Sequence, residues 1–195
     1  MFLDNEMGGT EREKYSLLTS CFLATDDNFN VIETLYLYLK PDDGIYKVCG
    51  EAMNVNRIDL KIHETKAITY KEGATKLYKW LQKLTDDGKI KAVVVGHGVY
   101  GDVEWIIYHL LSRGSWEKFT SYRKLDTSAV CQFLKACNMF PETVSGSLES
   151  LAKYFNIPVD ENELHNAKYD VELTFRVFMG LRKVLLDLKN KFWNP

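Results

Sequence analysis

Residues 16–39 read SLLTSCFLATDDNFNVIETLYLYL, and this stretch decides the fold class. Residues 16–25 and 31–39 are rich in β-branched and aromatic side chains, as strands are, and Asp26-Asp27-Asn28 between them is a turn-forming cluster. Upstream, residues 1–6 form a short apolar lead into two acids. The start of the chain therefore reads as a three-stranded antiparallel meander, ended by Pro41-Asp42-Asp43-Gly44. Downstream the period changes. Ala74, Leu77, Tyr78, Leu81 and Leu84 recur at helical spacing within residues 71–84, and Asp87-Gly88 stops the segment. Residues 91–96 (KAVVVG) contain the continuous apolar run of a buried strand, and residues 102–111 (DVEWIIYHLL) return to helical periodicity. Residues 124–126 read as a short strand entering a helix that runs to Leu134, and residues 148–155 and 170–188 read as two further helices. Strands first, then helix alternating with strand, is an α/β pattern on a mixed sheet.

A chain of 195 residues can bury one proper core, so a single domain over residues 1–195 is expected. At 46% hydrophobic and 27% charged residues, the composition is that of a folded globular chain rather than a disordered one. No apolar stretch approaches the roughly 18–20 residues of a membrane span. MFLDNEMGG lacks a basic region followed by an apolar block, so the expected location is cytoplasmic, with no membrane partner. Cys21, Cys49, Cys131 and Cys137 form no Cys-x-x-Cys pair, which favours free thiols over a disulfide. The formal net charge is −2, yet lysines recur from Lys61 to Lys91, and Arg176, Arg182, Lys183, Lys189 and Lys191 cluster near the C-terminus. These are either solvated helix faces or a phosphate-binding surface.

The chemistry lies in five residues. On a strand, Asp4 and Glu6 project from the same face, and two adjacent carboxylates on a mostly buried strand are tolerated when a cation lies between them. Oxygen-only ligands suit Mg²⁺ or Mn²⁺. The alternative is a solvated strand end. Asp102 follows the buried strand after a loop at residues 97–101, where ligands of open α/β sheets gather, and a helix N-cap is its alternative role. His165 and Asp170 lie in HNAKYDVELTF at the entry to the last helix. They pair a histidine able to act as a base with a metal-binding acid, or else are a surface residue and a cap.

Together FLDNEMGG (residues 2–9), GHGVYGD (96–102) and HNAKYD (165–170) resemble the three motifs of the DnaQ-like DEDD exonucleases, histidine subtype. The tyrosine subtype would need Tyr where this chain has Asn166. The Glu-Met pair is similar to the oligoribonuclease branch, and EAMNVNRID (51–59) is similar to the Ala-x-x-x-Asn-Gly-Ile segment of RNase T-like members. KLDTSAV (124–130) and GSLESLAKYFNIP (146–158) resemble the family's intervening segments. Gly98 and Gly101 replace the usual Asn and aromatic residue of the second motif, and Gly8-Gly9 stands where Thr-Gly is common.

The resemblance implies a ribonuclease H-like fold, a central mixed five-stranded sheet flanked by helices. It also implies a metal-dependent 3′→5′ exonuclease on single-stranded RNA or DNA that releases nucleoside 5′-monophosphates. Two Mg²⁺ or Mn²⁺ ions are then expected, with Asp4 bridging, Glu6 and Asp170 completing one site, Asp102 supporting the other and His165 as general base. Backbone amides at Met7 and Gly8 would hold the 3′ hydroxyl, Met7 or Met53 would pack on the terminal base, and Tyr100 or Trp105 would stack. RNA against DNA stays open, as does a homodimer, since stand-alone enzymes of the family are often dimers. The alternatives are a non-catalytic nucleic-acid-binding module of the same fold and a proofreading subunit of a polymerase.

Overall fold

The structure, a computed structural model, describes residues 1–192. Its first strands are β1 (Phe2–Met7), β2 (Leu17–Thr25) and β3 (Val31–Lys40), paired antiparallel as a meander. The β2–β3 turn is built by Asp26, whose Oδ1 accepts the amides of Asn28 at 2.9 Å and Asn30 at 2.8 Å. Two short helices follow, α1 (Gly50–Asn56) and α2 (Leu60–Glu64). Then come β4 (Ile68–Thr69), α3 (Tyr70–Leu84), β5 (Ala92–Gly96) and α4 (Val99–His109). The chain continues through α5 (Arg113–Phe119), β6 (Thr120–Asp126), α6 (Thr127–Ala136), α7 (Leu148–Tyr154) and α8 (Ala167–Phe192).

The sheet order is β4-β3-β2-β1-β5-β6, with β5 parallel to both β1 and β6. It has six strands where five were expected. The sixth, β4, pairs only Ile68 with Leu39 and Thr69 with Lys40, and two residues are too few for a strand period to show. Helices α1, α2 and α5 were likewise not expected, because segments of 5–7 residues span fewer than two turns of pattern. No helix among the described residues is long and apolar enough to cross a membrane. All four cysteines are free.

Strand parity divides the core. Leu3, Phe22, Leu37 and Val94 pack with Leu77, Leu81, Val103 and Ile106 on the face covered by α3 and α4. Phe2, Cys21, Leu23 and Val95 pack with Ala167 and Val171 of α8 on the opposite face. Since β1 alternates, Asp4 and Glu6 share the α8 face with Phe2. The register also fixes two rows across the meander, Asp4–Cys21–Tyr36 and Glu6–Thr19–Tyr38.

Phe2 clamps α8 to the sheet by edge contacts with Phe175 at 5.2 Å and Phe178 at 5.4 Å between ring centroids. We expect Phe2→Ala to cost about 3–5 kcal/mol, the range for a deleted core aromatic ring. Urea unfolding checks it, and a loss under about 1 kcal/mol would mean that α8 docks without this clamp.

Candidate active site

The strand β1 and the first turn of α8 bring three acids together. Asp4, Glu6 and Asp170 each offer a carboxylate oxygen, and these oxygens lie within 4.8 Å of one another. Asp170 is buried, and it sits inside α8 rather than capping it. Its Oδ2 accepts the His165 amide at 3.0 Å, while Oδ1 is buried without a hydrogen-bond partner. An orphaned buried carboxylate oxygen is costly unless something positive faces it.

Asp102 approaches from α4. The helix starts at Val99, three residues earlier than expected, so residues 99–101 are helical rather than loop and Asp102 lies within the first turn. Asp102 is therefore not the N-cap. Gly98 occupies that place at φ 83°, and the cap bonds come from Asp126, which accepts the amides of Gly98 at 3.2 Å and Val99 at 3.1 Å. The same carboxylate accepts Ser128 N at 2.9 Å, so one side chain holds the starts of both α4 and α6. Asn5 Nδ2 donates to the Asp102 carbonyl at 3.0 Å and ties this turn to β1.

Crowding sets the electrostatics. Burial pushes the Asp4 carboxyl well above its usual range, and repulsion from Asp102, Glu6 and Asp170 adds to it. Glu6 rises to about 9 through burial and then the charges of Asp170 and Asp102. Asp102 rises to about 7 by burial, opposed by its hydrogen bonds with Asn5. Asp170 rises to about 6 by burial, opposed by the His165 amide and charge. Asp102 stands outside the tight triplet, yet its charge is the largest of those acting on Asp4. Mutually repelling oxygen donors, one of them orphaned, fit a hard divalent cation.

The remaining predicted residues divide. His165 is exposed beside the triplet, at φ 66°, and its backbone turn aims the amide at Asp170. Gly8 does not offer a free amide: its N–H donates to Ser16 O at 2.8 Å, and its carbonyl accepts Cys49 N at 2.7 Å. It is a glycine because a Cβ there would meet Lys47 O at 2.6 Å. Met7 and Met53 are half-buried, and the Met7 carbonyl accepts Asn56 Nδ2 at 3.0 Å. Trp105 is buried and stacked on His109, with centroids 5.2 Å apart, so it is a core residue and not a platform. Tyr100 is exposed, with the Lys124 ammonium 5.1 Å from its ring centroid.

The sequence reading missed a cleft of about 350 Å³ in which Glu6 and His165 are joined by Tyr36, Tyr38, Arg57 and Lys66. The alternating LYLYL of β3 carried the signal, but only the register rows place those rings on the face of the acids. A second cleft, of about 700 Å³, also reaches Glu6 and is lined by Met7, Thr10, Cys49 and Ala52. Asn56 lines both.

Residues 1–178 match a protein family described as Exonuclease, the RNase T family. Ribonuclease T of Haemophilus influenzae is 24% identical over 194 residues, covering 96% of this chain and 81% of that protein. Among solved structures, Escherichia coli Exonuclease I in complex with a dT13 oligonucleotide superposes with a TM-score of 0.75 at 20% identity, over 97% of this chain and 42% of that one. A zinc-bound Exonuclease I–ssDNA complex from E. coli gives 0.71 at 21% identity, over 92% of this chain and 39% of that one. This chain thus spans about two fifths of those structures, and they share its fold.

A pH dependence follows from the acids. Each binds its proton more tightly folded than unfolded, so its contribution to stability is complete below the ordinary carboxylate range and is lost as pH rises through the folded values. Those values run from about 6 for Asp170 through about 7 for Asp102 to about 9 for Glu6. In EDTA, we expect Asp4→Asn to melt higher than wild type at about pH 8, by roughly 2–4 °C per kcal/mol of repulsion relieved, and much less so near pH 5. Added Mn²⁺ should reverse the order. Scanning calorimetry with and without metal checks both, and a lower melting point for Asp4→Asn in EDTA would disprove the repulsion. Gly8→Ala should destabilise the protein at every pH, because the obstructing atom is backbone.

Proposed function

This chain belongs to the RNase T exonuclease family, and on that premise we propose that it removes nucleotides from the 3′ end of single-stranded RNA or DNA as nucleoside 5′-monophosphates. The observation that carries this reading is the convergence of Asp4, Glu6 and Asp170, with a buried Asp170 oxygen left for a cation. The family match covers residues 1–178, which supports reading the chain as a single exonuclease domain. The similar Exonuclease I structure bound to ssDNA supports a single-stranded substrate, and the likeness to Ribonuclease T supports RNA as a candidate.

Two divalent ions, Mg²⁺ or Mn²⁺, would stabilise the attacking and leaving oxygens of an in-line displacement at such a centre. Asp4, which feels the charges of all three other acids, would be a central ligand to the metal. Glu6 and Asp170 would hold metal together with it, and Asp102 would assist from α4. His165, exposed beside Asp170, takes the proton of the attacking water at a ring nitrogen. Water adds to the scissile phosphorus as the bond to the 3′ oxygen of the next nucleotide breaks. The half-buried Met7, rather than the Gly8 amide that is already donated to Ser16 O, would border the terminal nucleotide. A base must leave its stack to enter either cleft, so duplex ends are poorer substrates than single strands.

The test uses matched 5′-labelled RNA and DNA oligomers, single- and double-stranded, with Mg²⁺ or Mn²⁺. Stepwise shortening from the 3′ end with release of 5′-mononucleotides is expected, nearly abolished in Asp4→Ala. His165→Ala should lose roughly 10²–10⁴-fold in kcat while Mn²⁺ binding by calorimetry stays near wild type. Folded protein that binds Mn²⁺ and cleaves nothing would instead favour a non-catalytic binding module.

A further inference from the structure

Arg57 ends helix α1 at φ 55° and ψ 23°, the left-handed region, with its amide donating to Met53 O at 2.9 Å. Glycine is the residue this backbone favours, because any Cβ crowds the neighbouring carbonyl. The segment similar to Ala-x-x-x-Asn-Gly-Ile has Arg57 in the glycine's place, between Asn56 and Ile58. The fold makes no evident use of that side chain. Arg57 is exposed, and among the described residues it enters no ion pair.

Its surroundings say what it faces. Arg57 and Lys66 line the cleft that begins at Glu6 and His165. Lys66 also forms no ion pair among the described residues, and its ammonium lies 5.2 Å from the Tyr38 ring centroid. The other acids lining this cleft are engaged elsewhere. Asp59 accepts the amide of Lys61 at 2.8 Å as the cap of α2, and Glu163 accepts Asn166 Nδ2 at 3.3 Å. Tyr36 and Tyr38 form the floor, edge to face at 4.7 Å. Glu6 and Tyr38 are two strands apart in one row, roughly 10 Å by the strand spacing. One cleft therefore brings together a carboxylate of the acid cluster, two aromatic rings and two cations without an ion pair.

We propose that Arg57, assisted by Lys66, binds the phosphodiester adjoining the scissile one in a single-stranded nucleic acid, with Tyr36 and Tyr38 beneath the intervening base. This assignment rests on the exonuclease reading for which phosphate is cut, but binding can be measured without cleavage. A guanidinium can meet a phosphate through two parallel N–H donors, while the rings accept any base.

The experiment follows a fluorescein-labelled single-stranded oligothymidylate by anisotropy in Ca²⁺ over a salt series, with wild type, Arg57→Gly, Arg57→Lys and Lys66→Ala. Arg57→Gly should weaken binding several-fold at low salt and reduce the log–log salt slope by about 0.7, the value for one lost phosphate contact on a single strand. Its melting temperature should equal or exceed that of wild type, since glycine relieves the backbone. Lys66→Ala should give a smaller loss of the same kind, and Arg57→Lys should restore most of the slope but less of the affinity. In the cleavage assay KM should rise while kcat is spared. Unchanged affinity and slope in both charge-removing variants would overturn the assignment, as would a lowered melting temperature with an unchanged slope. If wild type cuts nothing in any divalent metal, the exonuclease reading fails, and the anisotropy series still decides whether Arg57 holds phosphate.

Discussion

Repulsion among carboxylates that the fold holds together is the constraint on which this molecule turns. Asp4, Glu6, Asp102 and Asp170 come from three separate elements, and burial raises every one of them. A chain folding for stability alone would spread such groups into water. Here the sheet and two helices force them inward. Phe2 locks α8 against β1, and Asn5 ties the first turn of α4 to the same strand. The apolar contacts are thus what hold an unfavourable charge arrangement in place, ready for a cation.

The support around the acids is economical in side chains. Asp126 holds the starts of α4 and α6 with one carboxylate, which leaves Asp102 free to face the centre. A negative group where two helix N-termini meet is favoured by both dipoles. His165 takes a left-handed backbone so that its amide meets Asp170 while its ring stays in solvent beside the triplet. The loop that carries the proposed base thereby also fixes one of the acids.

Two clefts meet Glu6, one lined by Tyr36 and Tyr38 and another lined by residues of α1. A polyanion lying across the acids meets cations again at Arg57 and Lys66. The net charge of −2 is therefore no guide to the partner, because acids converge at the centre while Arg57 and Lys66 line the same cleft as Glu6.

The sequence by itself determined the meander, the α/β order after it and the pairing of Asp4 with Glu6. These depend on periods of two and 3.6, which act between near neighbours. The motif spacing also drew Asp102, His165 and Asp170 into one set. Only the tertiary structure decided what each neighbouring group is free to do. Trp105 has the ring of a stacking residue, but its place on the buried face of α4 makes it core. Gly8 carries an amide at the right point of the chain, yet the close approach of residues 47–49 consumes its hydrogen bonds. Tyr36 and Tyr38 are some thirty residues from the acids in sequence and come to share their face through strand register. Register and helix capping are set by contacts between distant segments, and those contacts exist only once the chain has folded.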